Sequence, residues 1–249
     1  MSATPLTDGV WLVGSGEVAR SASDAHDCHV YLVYDGASAV VVDAGTGLAS
    51  EAILSNIAEV CDAAAVEAIV CTHYHADHAG GLADLAAALD APVAASAVTA
   101  QALASGDEET TQVATARRVG VYPPEYRLAP AAVDRVLADG EELAAGEIAL
   151  GVVATPGHCD GHLSFTLETP AGPGLFSGDC VFRGGNVSMQ AIPDCRLDVY
   201  AATLARLAEL APEALLPGHA DIVCAGAARG IVSAADSFAR LVPAPNLLR

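Results

Sequence analysis

The chain contains no lysine. Its 11 basic residues are all arginine, from Arg20 to Arg249, against 31 acidic residues, which leaves a formal net charge of -20 over 249 residues. A field of that sign repels phosphate backbones and anionic membrane surfaces, so nucleic acid and membranes are disfavoured as partners. Aromatic residues are scarce, 4% against 53% hydrophobic residues in all, so a core must be built mainly from Ala, Val and Leu. No apolar run reaches the roughly 18 residues of a membrane span, and residues 1–8 lack the basic region of a signal peptide. The 7 cysteines, at 28, 61, 71, 159, 180, 195 and 224, include no CxxC pair. An odd set of that kind points to free thiols in a reducing compartment, and a cytoplasmic location is the expectation.

Histidine, by contrast, is concentrated. In Cys71-Thr72-His73-Tyr74-His75-Ala76-Asp77-His78-Ala79-Gly80-Gly81, three of the 8 histidines and an aspartate fall within six positions, after an apolar, β-branched run from Glu67 to Val70. The two glycines are expected to let the chain turn into the Ala/Leu-rich helix that follows. Imidazole and carboxylate suit zinc, iron or manganese, and close spacing on a turn lets several ligands reach common ions with little loop-closure cost.

The pattern HxHxDH followed by two glycines resembles the metallo-β-lactamase superfamily, in its glyoxalase II and lactonase-like branch. Thr155-Pro156-Gly157-His158, Ser177-Gly178-Asp179 and Leu216-Pro217-Gly218-His219 look like that family's remaining ligand motifs, in its order, so the resemblance runs from about Val10 to His219. It implies an α/β fold, a four-layer αββα sandwich, as a single domain over 1–249 with a helical insertion at 97–136 near the pocket. It also implies two divalent metal ions, zinc first, with iron or manganese as alternatives. His73, His75 and His158 would hold one ion, Asp77, His78 and His219 the other, and Asp179 would bridge them. A metal-bridging hydroxide would then attack the substrate, with Asp77 and Asp179 as catalytic residues that orient it or relay its proton. The implied reaction is hydrolysis of a small-molecule ester, thioester or lactone; phosphodiester or weak β-lactam hydrolysis are alternatives, and a homodimer stays open.

Departures from subfamily patterns narrow this. Glyoxalase II proteins carry a longer region after the last ligand than the residues that follow His219. Acyl-homoserine lactonases have a tyrosine where this chain has Phe182, and metallo-β-lactamases generally lack the bridging aspartate. Persulfide dioxygenases share the fold but use one iron, for which the matching residues would be His75, His158 and Asp179; the complete second set of ligands favours the hydrolase.

The remaining chain is consistent with sheets covered by helices. Strands are expected at Gly9–Gly14, His29–Tyr34, Ala39–Asp43, Glu67–Cys71, Pro92–Ala95, Ile148–Ala154, Leu163–Leu167, Leu175–Ser177 and Ala214–Leu216, and helices at Leu48–Cys61, Leu82–Leu89, Leu197–Leu210 and Ala225–Leu241. Asp43 is either a support for the histidine loop or a turn aspartate before Gly45. His26, Asp27, Cys28 and His29 read as structural, and so does His162. Cys71, Cys159 and Cys180 read as small buried residues beside the ligands, with a thiolate or redox role as the alternative. Within 97–136, two helical stretches flank Gly106-Asp107 and Tyr122-Pro123-Pro124; the segment either shapes the pocket or merely covers the sheet. Arg117, Arg118, Tyr122, Tyr126 and Arg183 are the candidates to meet a substrate, with solvated surface as the alternative for each.

Overall fold

A computed structural model describes residues 2–18 and 22–247; Arg20 and Arg249 lie outside them. The chain divides into two compact units, one of Met1–Leu137 with Ala144–Ile148, the other of Ala138–Leu143 with Ala149–Arg249.

The first unit is built on a seven-stranded sheet. Its strands follow chain order: β1 (Thr4–Thr7), β2 (Val10–Gly14), β3 (Val30–Tyr34), β4 (Ala39–Val42), β5 (Val66–Val70), β6 (Val93–Ala95) and β7 (Arg135–Val136). Pairing is antiparallel from β1 to β4 and parallel from β4 to β7. The change of sense matches the sequence: Val40, Val41, Ile69 and Val70 are all fully buried, as parallel strands covered on both faces require. Helix α1 (Ser50–Ala58) buries Ile53, Asn56 and Ile57, and α3 (Leu82–Leu89), which follows the short α2 (Ala76–Ala79), buries Leu82, Leu85 and Leu89. That i, i+3, i+7 spacing puts one leucine stripe inward, each side chain contributing roughly 2 kcal/mol of burial. Asp90, at φ 51°, stops α3. Helices α4 (Ala97–Ala104) and α5 (Val113–Arg118) then occupy the segment before β7.

The second unit carries a five-stranded sheet in the order β12-β11-β10-β9-β8, from β8 (Glu142–Ala145), β9 (Ile148–Ala154), β10 (Leu163–Thr169), β11 (Gly172–Gly178) and β12 (Ala214–Pro217). Strands β11 and β12 pair in parallel and are joined through α6 (Leu197–Leu210). Leu204 and Leu207 of α6 and Ile231 of α7 (Ala228–Ala239) pack with Leu175 and Leu215, and the rings of Tyr200 and Phe238 stack at 6.0 Å. Among the described residues no helix is long and apolar enough to cross a membrane.

In both units the chemistry-bearing loops leave the carboxyl ends of strands, the usual mounting for ligands in open α/β sheets. Asp43 follows β4 and the histidine cluster follows β5; His158, Asp179 and His219 follow β9, β11 and β12. Gly80 and Gly81 form the turn into α3, as expected, with ordinary negative φ of -63° and -86°. They are needed for close approach: a Cβ on Gly80 would lie 2.5 Å from the Tyr126 hydroxyl, and one on Gly81 would strike the Ala44 carbonyl.

Candidate metal centre

In the first unit the histidine loop is organised by a buried carboxylate. Asp43, 2% exposed, accepts from the Thr72 N–H at 2.7 Å and the Thr72 hydroxyl at 2.9 Å, and its other contact is His78 Nδ1 at 2.8 Å. A carboxylate can only accept, so Nδ1 of His78 carries the proton and the Nε2 lone pair is left as the donor atom. Thr72, having given its hydrogen to Asp43, accepts from His73 Nδ1 at 3.0 Å, which fixes His73 in the same tautomer. His73 Nε2 and His75 Nδ1 lie 3.0 Å apart, and the ring centroids of His73 and His78 are 4.2 Å apart, with these three side chains buried. Two nitrogens each at about 2.0–2.1 Å from a tetrahedral ion would be roughly 3.3 Å apart, so the observed spacing suits a shared cation. His78 Nε2 faces Asp77 Oδ2 at 3.7 Å. This is too long for a hydrogen bond but within the span of two ligands on one ion.

The second unit repeats the logic around Asp179. His158 Nδ1 donates to the Ser188 carbonyl at 2.9 Å, presenting Nε2, which lies 3.8 Å from Asp179 Oδ2. His219 Nε2 lies 3.7 Å from the other oxygen, Oδ1. A carboxylate with one imidazole off each oxygen is the arrangement a bridging ligand needs. The loop depends on two close fits: Gly157 sits at φ 138°, and a Cβ there would come within 2.7 Å of the Tyr200 backbone. The Tyr200 hydroxyl donates to the Cys180 carbonyl at 2.6 Å and accepts from the Ser188 N–H at 3.2 Å, tying the Asp179 turn to the residue whose carbonyl holds His158.

The family model for the metallo-β-lactamase superfamily matches residues 23–219. The chain belongs to this superfamily. Among its relatives, the acyl-coenzyme A thioesterase MBLAC2 of Bos taurus is 31% identical over 233 residues, covering 86% of this chain and 79% of that one. A hydroxyacylglutathione hydrolase of Cupriavidus taiwanensis is 31% identical over 200 residues, covering 80% of this chain and 62% of the relative. A metallo-β-lactamase of Cronobacter sakazakii aligns with a TM-score of 0.73 at 22% identity, over 97% of each chain. The fold is therefore the metallo-β-lactamase fold, α/β with two sheets, as the sequence led us to expect.

The other candidates in this superfamily member sort by their contacts. Asp43 is both a support of His78 and a left-handed residue, φ 63°, so its two readings hold together. His162 donates from Nδ1 to the Thr155 hydroxyl at 2.8 Å and accepts at Nε2 from the Asp179 N–H at 3.2 Å, so both nitrogens are engaged within the chain and it acts as a brace. Asp27 accepts from the Thr46 N–H and hydroxyl at 2.7 and 2.6 Å, and His29 meets Ser15 at 2.9 Å; both are structural. Half-buried His26 meets Asp24 at 2.6 Å. Burial raises the Cys28 thiol to about 12 and pushes Cys71 and Cys180 well up, and Cys159 is fully buried as well, so all four are small enclosed side chains. Arg183 is exposed and pairs with Asp221 at 2.8 Å, while Arg118 reaches Thr115. Arg117 is internal bracing, donating to Glu108 and the Tyr126 carbonyl. Tyr122 is buried against Asp77 rather than displayed to solvent. Thr72, Ser188 and Tyr200 went unread in the sequence because a hydroxyl or carbonyl that orients a ligand carries no motif of its own.

Proposed function

We propose that the chain is a metal-dependent hydrolase of a small-molecule thioester or ester. In this reading His73, His75 and His158 hold one divalent ion, Asp77, His78 and His219 a second, and Asp179 contributes to both. Zinc is the favoured ion, with iron or manganese as alternatives. The observation that carries it is the keying of the imidazoles: His73, His78 and His158 are each held at Nδ1 by Thr72, Asp43 and Ser188, which leaves Nε2 to ligate. Similarity to an acyl-coenzyme A thioesterase and to a hydroxyacylglutathione hydrolase supports the thioester class. When bound, a pair of such ions lowers the pKa of a water molecule and stabilises the oxygen that becomes negative in the transition state. The chain's own part is to direct that water. In this reading Asp77 and Asp179 would accept its hydrogen and aim its lone pair, and no serine or cysteine nucleophile would be needed. The 7 free cysteines agree with a cytoplasmic setting, and the reading treats the whole chain as one catalytic domain.

The test is a screen of acyl-CoA, S-acylglutathione, lactone and phosphodiester substrates, with thiol or acid release followed directly. Thioester turnover that a chelator abolishes and zinc restores is expected. Iron as the purified metal, with oxygen consumed on a persulfide and no hydrolysis, would replace the hydrolase with a dioxygenase.

A further inference from the structure

The segment between α4 and β7 is cross-braced. Arg117 donates to Glu108 at 2.7 Å and to the Tyr126 carbonyl at 2.8 Å, and the other oxygen of Glu108 accepts from the Leu128 N–H at 3.3 Å. The brace is anchored on the histidine loop's own surroundings. Tyr126 donates to the Thr46 carbonyl at 2.9 Å, and its hydroxyl fills the space over Gly80 that any side chain there would need. Tyr122 packs on Tyr126 with ring centroids 4.8 Å apart and on His26 at 6.0 Å, and Pro123-Pro124 fixes the backbone that leaves it. The Tyr122 hydroxyl therefore has one well-defined place, 3.3 Å from Asp77 Oδ1. A carboxylate can only accept, so Tyr122 donates and Asp77 accepts.

We propose that Tyr122 is a positioning residue for Asp77: its hydroxyl pins Oδ1 and turns Oδ2, the oxygen that faces His78 Nε2 at 3.7 Å, into the single ligating atom. This rests on the reading of Asp77 as a metal ligand. A free carboxylate can rotate and bind through either oxygen or both, whereas one held by a hydrogen bond on its outer oxygen presents a fixed direction, and groups holding a ligand in this way typically change metal affinity by about 10- to 100-fold. The α4–β7 segment is then a clamp on the ligand loop, a role beside the pocket-shaping and covering ones its sequence left open.

The experiment compares the full chain with Tyr122→Phe, Tyr126→Phe and Asp77→Ala, measuring metal content, metal affinity by chelator competition, kcat and KM. Tyr122→Phe keeps the ring and is expected to weaken one class of bound ion by at least about tenfold. It should lower kcat with little change in KM, and recover when metal is in excess. Tyr126→Phe, which loosens the anchor, should shift affinity the same way by less, and serves if Tyr122→Phe is poorly folded. Asp77→Ala should lose that class of ion outright. If Asp77→Ala loses the ion while both tyrosine variants keep wild-type affinity, the positioning role is overturned and the reading of Asp77 stands; a Tyr122→Phe effect confined to KM overturns it equally, making Tyr122 a substrate contact. If Asp77→Ala keeps the full metal content, Asp77 is no ligand and both ideas fall together.

Discussion

Asp43 is a carboxylate 2% exposed, in a left-handed backbone conformation, with no arginine among its resolved contacts. Its acceptor capacity is met by the Thr72 N–H and hydroxyl and by His78 Nδ1, and this costs the chain the freedom to use another residue type there. Asn is nearly the same size but offers a donor at one position. Asp43→Asn is expected to release the His78 tautomer and weaken metal binding by roughly 10- to 100-fold; unchanged affinity in a chelator titration would count against the keyed-imidazole account. Gly157 makes a different kind of demand. Gly157→Ala must strain a φ of 138° and push a Cβ into Tyr200, so a loss of at least about 2 kcal/mol in the unfolding free energy from urea denaturation is expected, with metal affinity falling alongside because the candidate ligand His158 is the next residue. His73, His75, Asp77 and His78 were singled out as candidates by their clustering, whereas Asp179 stood out only through the resemblance of its motif to the family's. Their orientation was not readable, since Thr72, Ser188 and Tyr200 reach the ligands only through the fold.

At the scale of elements, the clamp between α4 and β7 has its own pH signature. The hydrogen bond from Arg117 lowers the Glu108 pKa, so its folded value lies below its unfolded one. Such a group contributes stability that is fully present above the unfolded pKa of about 4.3 and is lost as pH falls through the lowered folded pKa. The pair is partly exposed, so solvent screening keeps the effect small. Arg117→Ala should therefore lower the stability measured at pH 7 and reduce its decline below about pH 4; an unaltered acid limb would remove Glu108 from the clamp. Helices α3 and α6 were legible to the residue because their leucines recur at helical spacing. Strands β1, β7 and β8 were not. Strand β7 is two exposed residues long and β1 contains Pro5, so neither offers a period to read, and both are strands because a neighbour supplies the hydrogen bonds.

At the scale of the whole molecule, each compact unit carries candidate donors at the carboxyl ends of its strands. The first carries His73, His75, Asp77 and His78, the second His158, Asp179 and His219. The net charge of -20 is strongly acidic even after setting aside the ligand carboxylates, and divalent cations are the natural counter-charge for such a cluster of acceptors. Family membership follows from the match over 23–219, but it leaves the number of ions to be measured. The most direct measurement is elemental analysis of the native chain and of Asp179→Ala, each purified without added metal. The account predicts about two divalent ions per native chain and fewer in the variant, because Asp179 is proposed to serve both. A native chain with a single ion, kept in full by Asp179→Ala, would contradict it.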